Sequence, residues 1–375
     1  MVKIGDFEFS LAEFAGALGD FGPLNPFLIG YIALLGLDPF GIFFAMGLTN
    51  IILGYVYRLP LPVEAKKAIG AYALEERWSP AQIYLSGLLT GLVWMSLSFS
   101  KLIGRVARAT PIGVIRGIQL GLMLILLRES LELMWTSIPL AIASVIMIIL
   151  LLRNRVLPGA IAVFLLGLII AFLSNPNLNV KLGFHSPQLY IPTVSDVSIG
   201  LVGVVVAQLV LTFSNAVLAT RLAVNERFPR RKITDESLAM NMGWVNTIFS
   251  FFGGAPLCHG AGGFAAQYFF GARTGGAMMM EGIAELVLAF LLADSVAAVF
   301  GAFPRAIIGT MLLFASVELG KSVVKVREKL EAVVVMVIGA ASFFTNLAVG
   351  FFLGLALYHS IKSLQRRGKI NQPHS

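Results

Sequence analysis

Two short segments decide how this chain folds. The first reads Leu59-Pro60-Leu61-Pro62-Val63-Glu64-Ala65-Lys66-Lys67-Ala68-Ile69-Gly70, and the second reads Gly253-Gly254-Ala255-Pro256-Leu257-Cys258-His259-Gly260-Ala261-Gly262-Gly263. In both, proline favours extended backbone before a helix begins. Each segment is too short for the roughly 20 residues that a full membrane span needs. We therefore predict two half-helices, each entered from an extended stretch.

The composition indicates a chain that lies in a membrane. Of its 375 residues, 57% are hydrophobic and 13% are charged, and the mean hydropathy is +0.85. A soluble core could not enclose this much apolar surface, so the bilayer must act as the solvent. These values exclude a disordered chain and a nucleic-acid-binding domain, and they argue against a soluble enzyme. One cysteine, Cys258, and four scattered histidines predict no disulfide framework, no metal site and no cofactor.

The apolar residues form fourteen segments, seven on either side of a polar, proline-containing stretch at 174–196. The first seven cover 10–36, 39–57, 63–74, 80–103, 111–127, 137–152 and 157–173. The other seven cover 197–222, 235–252, 258–269, 276–300, 304–319, 331–345 and 347–361. The first segment is interrupted at Gly19-Asp20-Phe21-Gly22-Pro23. This pattern predicts an all-α polytopic membrane protein with fourteen transmembrane segments.

The distribution of Lys and Arg predicts the orientation, because cytoplasmic loops collect basic residues. With both termini in the cytoplasm, the outer loops hold only Arg77, Arg128, Lys181 and Arg305. The net charge of +8 is therefore explained by topology rather than by nucleic-acid binding. The N-terminus shows no removable signal peptide. We expect a multi-pass protein of the cell (plasma) membrane.

The two halves of the chain resemble each other weakly at a nearly constant offset. Met46-Gly47-Leu48-Thr49-Asn50 matches Met242-Gly243-Trp244-Val245-Asn246, which lies 196 positions later, and Pro62 matches Pro256, 194 positions later. Seven spans per repeat invert the second repeat relative to the first. We predict inverted repeats at 1–173 and 197–375, joined by an extracellular linker at 174–196. This arrangement is typical of secondary transporters, whose site lies where the short segments meet.

The two half-helix starts predict an anion site. The N–H groups at a helix start carry about half a positive charge and bind anions. Glycines after His259 let an anion approach the backbone closely. His259 either binds the substrate or caps its helix. Lys67 either complements the anion or only pairs with Glu64 at i, i+3.

Ionisable residues inside the spans are candidates for function, because charge is costly to bury in a membrane. They are Asp20, Glu64, Lys66, Lys67, Arg116, Glu281 and Glu285. Glu64 is either a proton-coupling carboxylate or a helix-start acid that the helix dipole favours. Glu281 and Glu285 share one helix face at i, i+4, and either one of them carries a proton or the pair makes a structural hydrogen bond.

Four motifs connect the chain to a known family. They are Gly19-Asp20-Phe21-Gly22, Pro62-Val63-Glu64-Ala65-Lys66-Lys67-Ala68-Ile69, Gln208-Leu-Val-Leu-Thr-Phe-Ser-Asn215 and, the most specific, Pro256-Leu-Cys-His-Gly-Ala-Gly-Gly-Phe-Ala-Ala-Gln-Tyr-Phe-Phe-Gly-Ala-Arg-Thr-Gly275. Over nearly its whole length the chain resembles the molybdate transporter family, a branch of the sulfate permease superfamily that lacks the soluble C-terminal domain. It departs from the family pattern at Glu64, where Gln is frequent, and at Lys66, where Met is common.

The resemblance implies an architecture and a site. Segments 1–4 and 8–11 would form a core domain and segments 5–7 and 12–14 a gate domain, in a seven-plus-seven inverted repeat with half-helices as segments 3 and 10. An oxyanion would lie between those half-helices. The binding residues would be Asp20, Val63, Glu64, Ala65, Lys67, Gln208, Asn215, Cys258, His259, Gly260 and Ala261. A homodimer is compatible with the family.

These observations predict a transporter rather than an enzyme. We expect a secondary active importer of a tetrahedral oxyanion, molybdate or tungstate, with a sulfate permease as the rival interpretation. A dianion that enters a negative interior needs compensating charge, which favours proton coupling through Glu64, Glu281 or Glu285. An anion channel on the same fold is disfavoured, because few polar residues line the spans.

Overall fold

The computed structural model describes residues 2–100, 103, 111–151, 159–178, 180–193, 196–321, 323, 326–345 and 347–370. The helices of the first half are α1 (Leu11–Ala17), α2 (Phe21–Ala33), α3 (Pro39–Tyr57), α4 (Lys67–Glu75), α5 (Pro80–Phe99), α6 (Ile112–Met134), α7 (Ile138–Leu151) and α8 (Gly159–Ser174). Those of the second half are α9 (Ile199–Leu211), α10 (Thr220–Arg227), α11 (Asp235–Phe249), α12 (Ala261–Phe270), α13 (Gly275–Gly301), α14 (Arg305–Gly320), α15 (Lys329–Phe344) and α16 (Leu347–Ile370). Strands β1 (Val2–Ile4) and β2 (Phe7–Phe9) form an N-terminal hairpin, and β3 (Glu64–Ala65) pairs with β4 (Leu257–Cys258).

Several helices are long and apolar enough to cross a membrane. Five stretches meet this requirement, at Pro39–Tyr57, Pro80–Phe99, Ile112–Leu151, Ile199–Arg227 and Gly275–Gly301. Their outer faces are apolar: on α7, the side chains of Ile142, Ile146 and Ile149 are all more than half exposed. Such a surface needs lipid around it. The prediction of a helical membrane protein is therefore confirmed, and the count of fourteen spans stays a prediction.

Some predicted segments end elsewhere in the structure. Segment 5 was expected at 111–127, but α6 continues to Met134. The charged residues that follow position 127 stay helical because they have partners near the end of α4: Arg128 pairs with Glu75, and Glu129 accepts a hydrogen bond from Arg77 at 2.7 Å. The predicted ends of segments 4, 6 and 7 at 101–102, 152 and 157–158 lie outside the described residues.

The first span is broken where the sequence predicts an interruption. Helix α1 ends at Ala17, a 3-10 turn covers Leu18–Asp20, and α2 begins at Phe21. The break packs against half-helix α12, since a Cβ on Gly19 would lie 2.8 Å from Ala266 O. The amide of Gln267 donates to Ala17 O at 2.9 Å and so satisfies a carbonyl that the broken helix leaves open.

Small residues let helices from opposite halves pack closely. Helix α3 packs on α13, where a Cβ on Gly47 would lie only 2.7 Å from Gly282 O. Helix α5 packs on α11, where a Cβ on Gly91 would lie 2.6 Å from Thr247 N. Close backbone approach of this kind stabilises helix pairs in membranes. The two halves of the chain are therefore interleaved rather than placed side by side.

The described part of the stretch 174–196 is largely a loop after Ser174, as predicted, and it lies along the C-terminal half of α13. Backbone N–H groups of Gly183 and His185 donate to Leu291 O at 3.0 Å and Phe290 O at 2.9 Å. His185 Nε2 also lies 3.0 Å from Asp294 Oδ1, and this hydrogen bond raises the pKa of His185. The loop is thus attached to the helix by backbone and side-chain bonds.

Candidate functional site

The two segments that the sequence singles out meet in the interior. Strand β3 pairs antiparallel with β4, with Glu64 opposite Cys258 and Ala65 opposite Leu257. The N–H of Lys66 donates to Pro256 O at 2.9 Å and extends the pairing by one bond. Both strands are buried. Half-helices α4 and α12 therefore begin side by side, directly after a shared pair of extended strands.

His259 fastens the two extended segments to each other. Its Nδ1 lies 2.8 Å from Pro62 O, and its Nε2 lies 3.2 Å from the Asn241 amide nitrogen. A carbonyl only accepts and an amide NH₂ only donates, so Nδ1 carries the proton and Nε2 accepts. Both ring nitrogens are thereby engaged and the side chain is fully buried. His259 neither caps α12 nor presents a nitrogen to a ligand in this conformation.

The start of α4 is closed by Gln208 from α9. Gln208 Oε1 accepts hydrogen bonds from Ala68 N at 2.8 Å and Ile69 N at 3.2 Å. Its amide nitrogen donates to Thr212 Oγ1 at 2.9 Å, which fixes the orientation of the side chain. A neutral oxygen therefore occupies the place where the N–H groups of this half-helix would hold an anion.

The start of α12 has a different occupant. Its N-cap is Gly260, and the carboxylate of Glu64 lies over the first turn: a Cβ on Gly260 would be 2.6 Å from Glu64 Oε2, and a Cβ on Gly263 would overlap Oε1. The Glu64 residue is 2% exposed, and Oε1 has no hydrogen-bond partner among the described residues. A buried carboxylate thus lies against the glycine face of the first turn, near the positive end of the second half-helix, and no hydrogen bond joins its Oε1 to the described residues.

Two lysines follow Glu64, and they point in different directions. Lys67 Nζ lies 3.3 Å from Glu64 Oε2, so the predicted i, i+3 pair forms. Lys66 is fully buried and donates to Thr90 Oγ1 on α5. Only Lys67 therefore balances the charge of Glu64 directly. Lys66 joins the start of α4 to a neighbouring helix.

Asp20 lies on the other side of the same glycine. A Cβ on Gly263 would be 3.3 Å from Asp20 Cβ. Asp20 is fully buried, and neither of its carboxylate oxygens has a hydrogen-bond partner in the described part of the chain. Asp20 and Glu64 thus flank Gly263, and the break in the first span brings Asp20 there.

Two further carboxylates lie deeper along α13. Glu281 Oε2 accepts from the Gln267 amide at 3.1 Å, and Glu285 Oε2 accepts from the Asn50 amide at 2.8 Å. Both glutamates are buried. The sequence left open whether these glutamates carry a proton or make structural hydrogen bonds. Each of them makes such a hydrogen bond, which joins α13 to another element. Within the described residues, no three His, Cys, Asp or Glu side chains converge as a metal site.

The remaining candidates differ in setting. Val63 is buried just before β3, Ala65 and Cys258 are buried in the paired strands, and Ala261 is half-buried at the first position of α12. Asn215 is half-buried in a π-helical stretch, Thr212–Ala219, between α9 and α10. That stretch follows Gln208 by one turn, and it widens the helix near the capped start of α4.

Comparisons with known proteins decide the family. The family described as "Molybdate transporter of MFS superfamily" matches residues 12–126 and 200–319. "Molybdate transporter 1" of Arabidopsis thaliana is 30% identical over 402 residues, which cover 94% of this chain and 88% of the relative. "Molybdate transporter 2" of the same plant is 28% identical over 405 residues, covering 94% and 87%. The chain belongs to the molybdate transporter family.

The fold of this molybdate transporter family member is similar to that of SLC26A9. The two align with a TM-score of 0.72 at 16% sequence identity, over 97% of this chain and 66% of SLC26A9, which is slightly less than two thirds of that protein's length. The transmembrane domain of the cyanobacterial bicarbonate transporter BicA aligns with a TM-score of 0.59 at 16% identity, over 92% and 96%. The expected link to the sulfate permease fold is confirmed.

Membership of the molybdate transporter family confirms the prediction that the chain is not an enzyme. Together with the apolar helices it places the chain in a membrane.

Sequence reasoning missed several polar residues that hold the site together. Asn241 orients His259. Asn246 holds β4 in place: its Oδ1 accepts from Leu257 N at 2.8 Å, and its Nδ2 donates to Leu257 O at 2.7 Å. Gln267 joins the broken first span to Glu281. Buried amides inside apolar spans are a usable signal, because each must find hydrogen-bond partners. The match between Asn50 and Asn246 in the repeat contains one of them, Asn246.

Proposed function

We propose that this chain is a secondary active transporter that imports a tetrahedral oxyanion, molybdate or tungstate, across the cell membrane. The observation that carries the proposal is that two half-helices have buried starts beside the paired strands β3 and β4. One of them begins with Lys67 and the other with glycines. A dianion away from bulk water needs N–H donors and a cation, and this place supplies both. The Arabidopsis relatives are named for molybdate transport, which agrees with this cargo.

The oxyanion binds beside the first turn of α12 in this proposal. Gly260 lets its oxygens approach the backbone, and Lys67 supplies the positive charge. Gln208 and His259 act by holding α4 and the crossing strands in place. Further lining residues carried over from the family resemblance are Asp20, Val63, Ala65, Asn215, Cys258 and Ala261.

An inverted repeat gives this site its alternating access. The offset between Asn50 and Asn246 maps α3 onto α11 and α5 onto α13. The pair α3–α13 is then mapped onto α11–α5 with the two halves exchanged, which supports two structurally repeated halves; an odd number of spans in each repeat would invert one relative to the other. Segments 1–4 and 8–11 form the core domain, which moves against a gate domain of segments 5–7 and 12–14. Both termini lie in the cytoplasm, and two copies form a homodimer.

Proton coupling offsets the charge of the imported dianion. Glu64, Glu281 and Glu285 are the candidate carriers. Asp20 stands beside Gly263, and Gln267, one turn further along α12, bonds to Glu281. Buried carboxylates and amides therefore follow one another from the substrate position into the protein, and buried acids of this kind form proton relays in transporters.

Two rival functions share these features. A sulfate permease would use the same site, because sulfate and molybdate are both tetrahedral dianions. An anion channel would need a continuous polar pore. Around the paired strands β3 and β4, however, the chain is packed with buried apolar residues such as Val63, Ala65 and Leu257. We favour the transporter over the channel on this ground.

Uptake of labelled molybdate into proteoliposomes tests the proposal. The measurement is made with and without an inward proton gradient and with excess sulfate as a competitor, with protein-free liposomes as the control. We expect saturable uptake that the gradient stimulates and that sulfate barely inhibits. Equal competition by sulfate would favour the permease, a flux that does not saturate would favour the channel, and absence of uptake of either anion would refute oxyanion transport.

A further inference from the structure

The carboxylate of Glu64 stands where the proposed oxyanion would bind. It lies against the glycines that open α12, it is 2% exposed, and its Oε1 meets no donor side chain among the described residues. The start of α12 has no side-chain cap, and a buried oxygen without a hydrogen-bond partner among the described residues lies against its first turn; these are two separate observations. Together they describe an anion position that the protein itself fills.

The charged and titratable groups around Glu64 do not cancel its charge fully. Lys67 on α4 pairs with Oε2 at 3.3 Å and is itself 22% exposed. Asp20, from the break in the first span, approaches from the far side of Gly263 and adds a second acid. Cys258 is the register partner of Glu64 across the strand pair.

The other two neighbours of Glu64 are turned away from it. The Lys66 ammonium bonds to Thr90, and the His259 ring bonds to Pro62 and Asn241. Among the described residues, the surroundings of the α12 start therefore contain two acids, Asp20 and Glu64, and one directly paired cation, Lys67.

A dianion cannot enter this position while Glu64 is ionised. Like charges a few ångströms apart repel strongly where water is excluded. A proton on the carboxyl removes the repulsion, and it also converts an acceptor into an O–H donor that can bond to an oxyanion oxygen. Protonated Glu64 is thus compatible with a bound oxyanion, and ionised Glu64 is compatible with a site that holds no oxyanion.

We propose that Glu64 is a tethered anion that occupies the oxyanion position at the start of α12, and that substrate binds there together with one proton on this carboxyl. The inference rests on the proposed oxyanion function and deepens it, because it assigns proton coupling to the binding step itself. It also gives a role to the acid that stands where the family frequently has Gln.

Binding of molybdate to the purified full-length protein, measured by isothermal titration calorimetry as a function of pH, tests this inference. For the wild type, uptake of one proton per anion weakens affinity by about tenfold for each pH unit over the range in which binding takes up that proton. Glu64→Gln keeps a donor of the same shape without the charge. We expect this variant to bind molybdate more tightly than the wild type at the alkaline end, with little dependence on pH.

Glu76→Gln is the matched control, since Glu76 is exposed at the opposite end of the same half-helix. It should keep the wild-type affinity and its pH dependence. If Glu64→Gln retains the wild-type slope, or binds molybdate no more tightly at high pH, the tethered-anion inference is wrong and oxyanion transport still stands. If no protein, wild type included, binds molybdate at any pH, the proposed function fails first.

A second measurement does not depend on the variant folding. Titrating molybdate into lightly buffered wild-type protein reports protons directly, and the inference requires net uptake of about one proton per bound anion where affinity falls with pH. Binding without proton uptake would overturn it.

Discussion

The starts of α4 and α12 occupy matching places in the two halves of the chain, yet they are closed by different chemistry. At α4, the amide oxygen of Gln208 accepts from Ala68 N and Ile69 N. At α12, the N-cap is a glycine, and the Glu64 carboxylate lies over the first turn. One start is sealed by a neutral group from another helix, and the other is covered by a group that can lose its charge.

The difference assigns separate tasks to the two half-helices. The N-cap of α4 is Lys66, whose side chain is anchored to Thr90, so little can approach the backbone there. The N-cap of α12 is Gly260, which leaves the backbone accessible to an anion. The proposed anion site is therefore one-sided, with α12 as its binding surface and α4 as its support. Substitutions at the two starts should accordingly differ in what they damage.

The largest effect is expected from Gly263→Ala. The added methyl group would overlap Glu64 Oε1 and crowd Asp20. Overpacking costs about 1–3 kcal/mol, and an overlap with a buried carboxylate oxygen belongs at the upper end, so we expect molybdate uptake in proteoliposomes to fall by about a hundredfold.

Gly262→Ala is the matched control, because a Cβ on Gly262 would meet nothing within 4 Å. It should transport like the wild type. Equal losses in the two variants would mean that helix geometry, rather than the surface beside Glu64, determines activity.

A smaller loss is expected from Lys67→Met. The change removes the cation that lies 3.3 Å from Glu64 Oε2. A hydrogen bond to a charged group contributes about 1.5–3 kcal/mol, and Lys67 is at the low end because its side chain is 22% exposed, so binding of molybdate should weaken by about tenfold, and Lys67→Arg should restore part of it.

The same substitution in a Glu64→Gln background separates the two interpretations of Lys67. If the lysine only neutralises Glu64, its loss should matter little once the carboxylate is gone. If it contacts the oxyanion, the loss should be the same in both backgrounds. Either result is read from affinities measured on all four proteins.

Sequence patterns predicted which backbone segments form the candidate site, but they did not predict the hydrogen bonds between its side chains. Proline and glycine placement predicted both half-helices and the break in the first span, because these residues restrict the backbone locally. The cost of charge inside a span singled out Glu64 and Lys67, and the resemblance to a family supplied Gln208. Nothing local indicates that Gln208 would cap a helix some 140 residues earlier in the chain, since that contact depends on how helices pack.

The hydrogen bonds of His259 also could not be predicted from its position in the sequence. Its sequence position favoured either substrate binding or a helix cap, and the structure gives its ring to Pro62 and Asn241 instead. The partner Pro62 lies 197 positions away, in the opposite half. Local propensity can place a residue near a site, whereas its hydrogen bonds are decided by elements that arrive from elsewhere.

Gln208→Ala should have the smallest effect on binding and a clear effect on stability. Ala68 N and Ile69 N would lose their acceptor, and a lost helix cap costs about 0.5–2 kcal/mol, which thermal unfolding in detergent can measure. Molybdate affinity should change by less than about threefold, because a site formed by α12 needs α4 only as support. Gln208→Glu should recover the stability, since a carboxylate also caps a helix start. If instead Gln208→Ala abolishes molybdate affinity and leaves thermal unfolding unchanged, the anion binds at the start of α4, and α12 is the supporting half-helix.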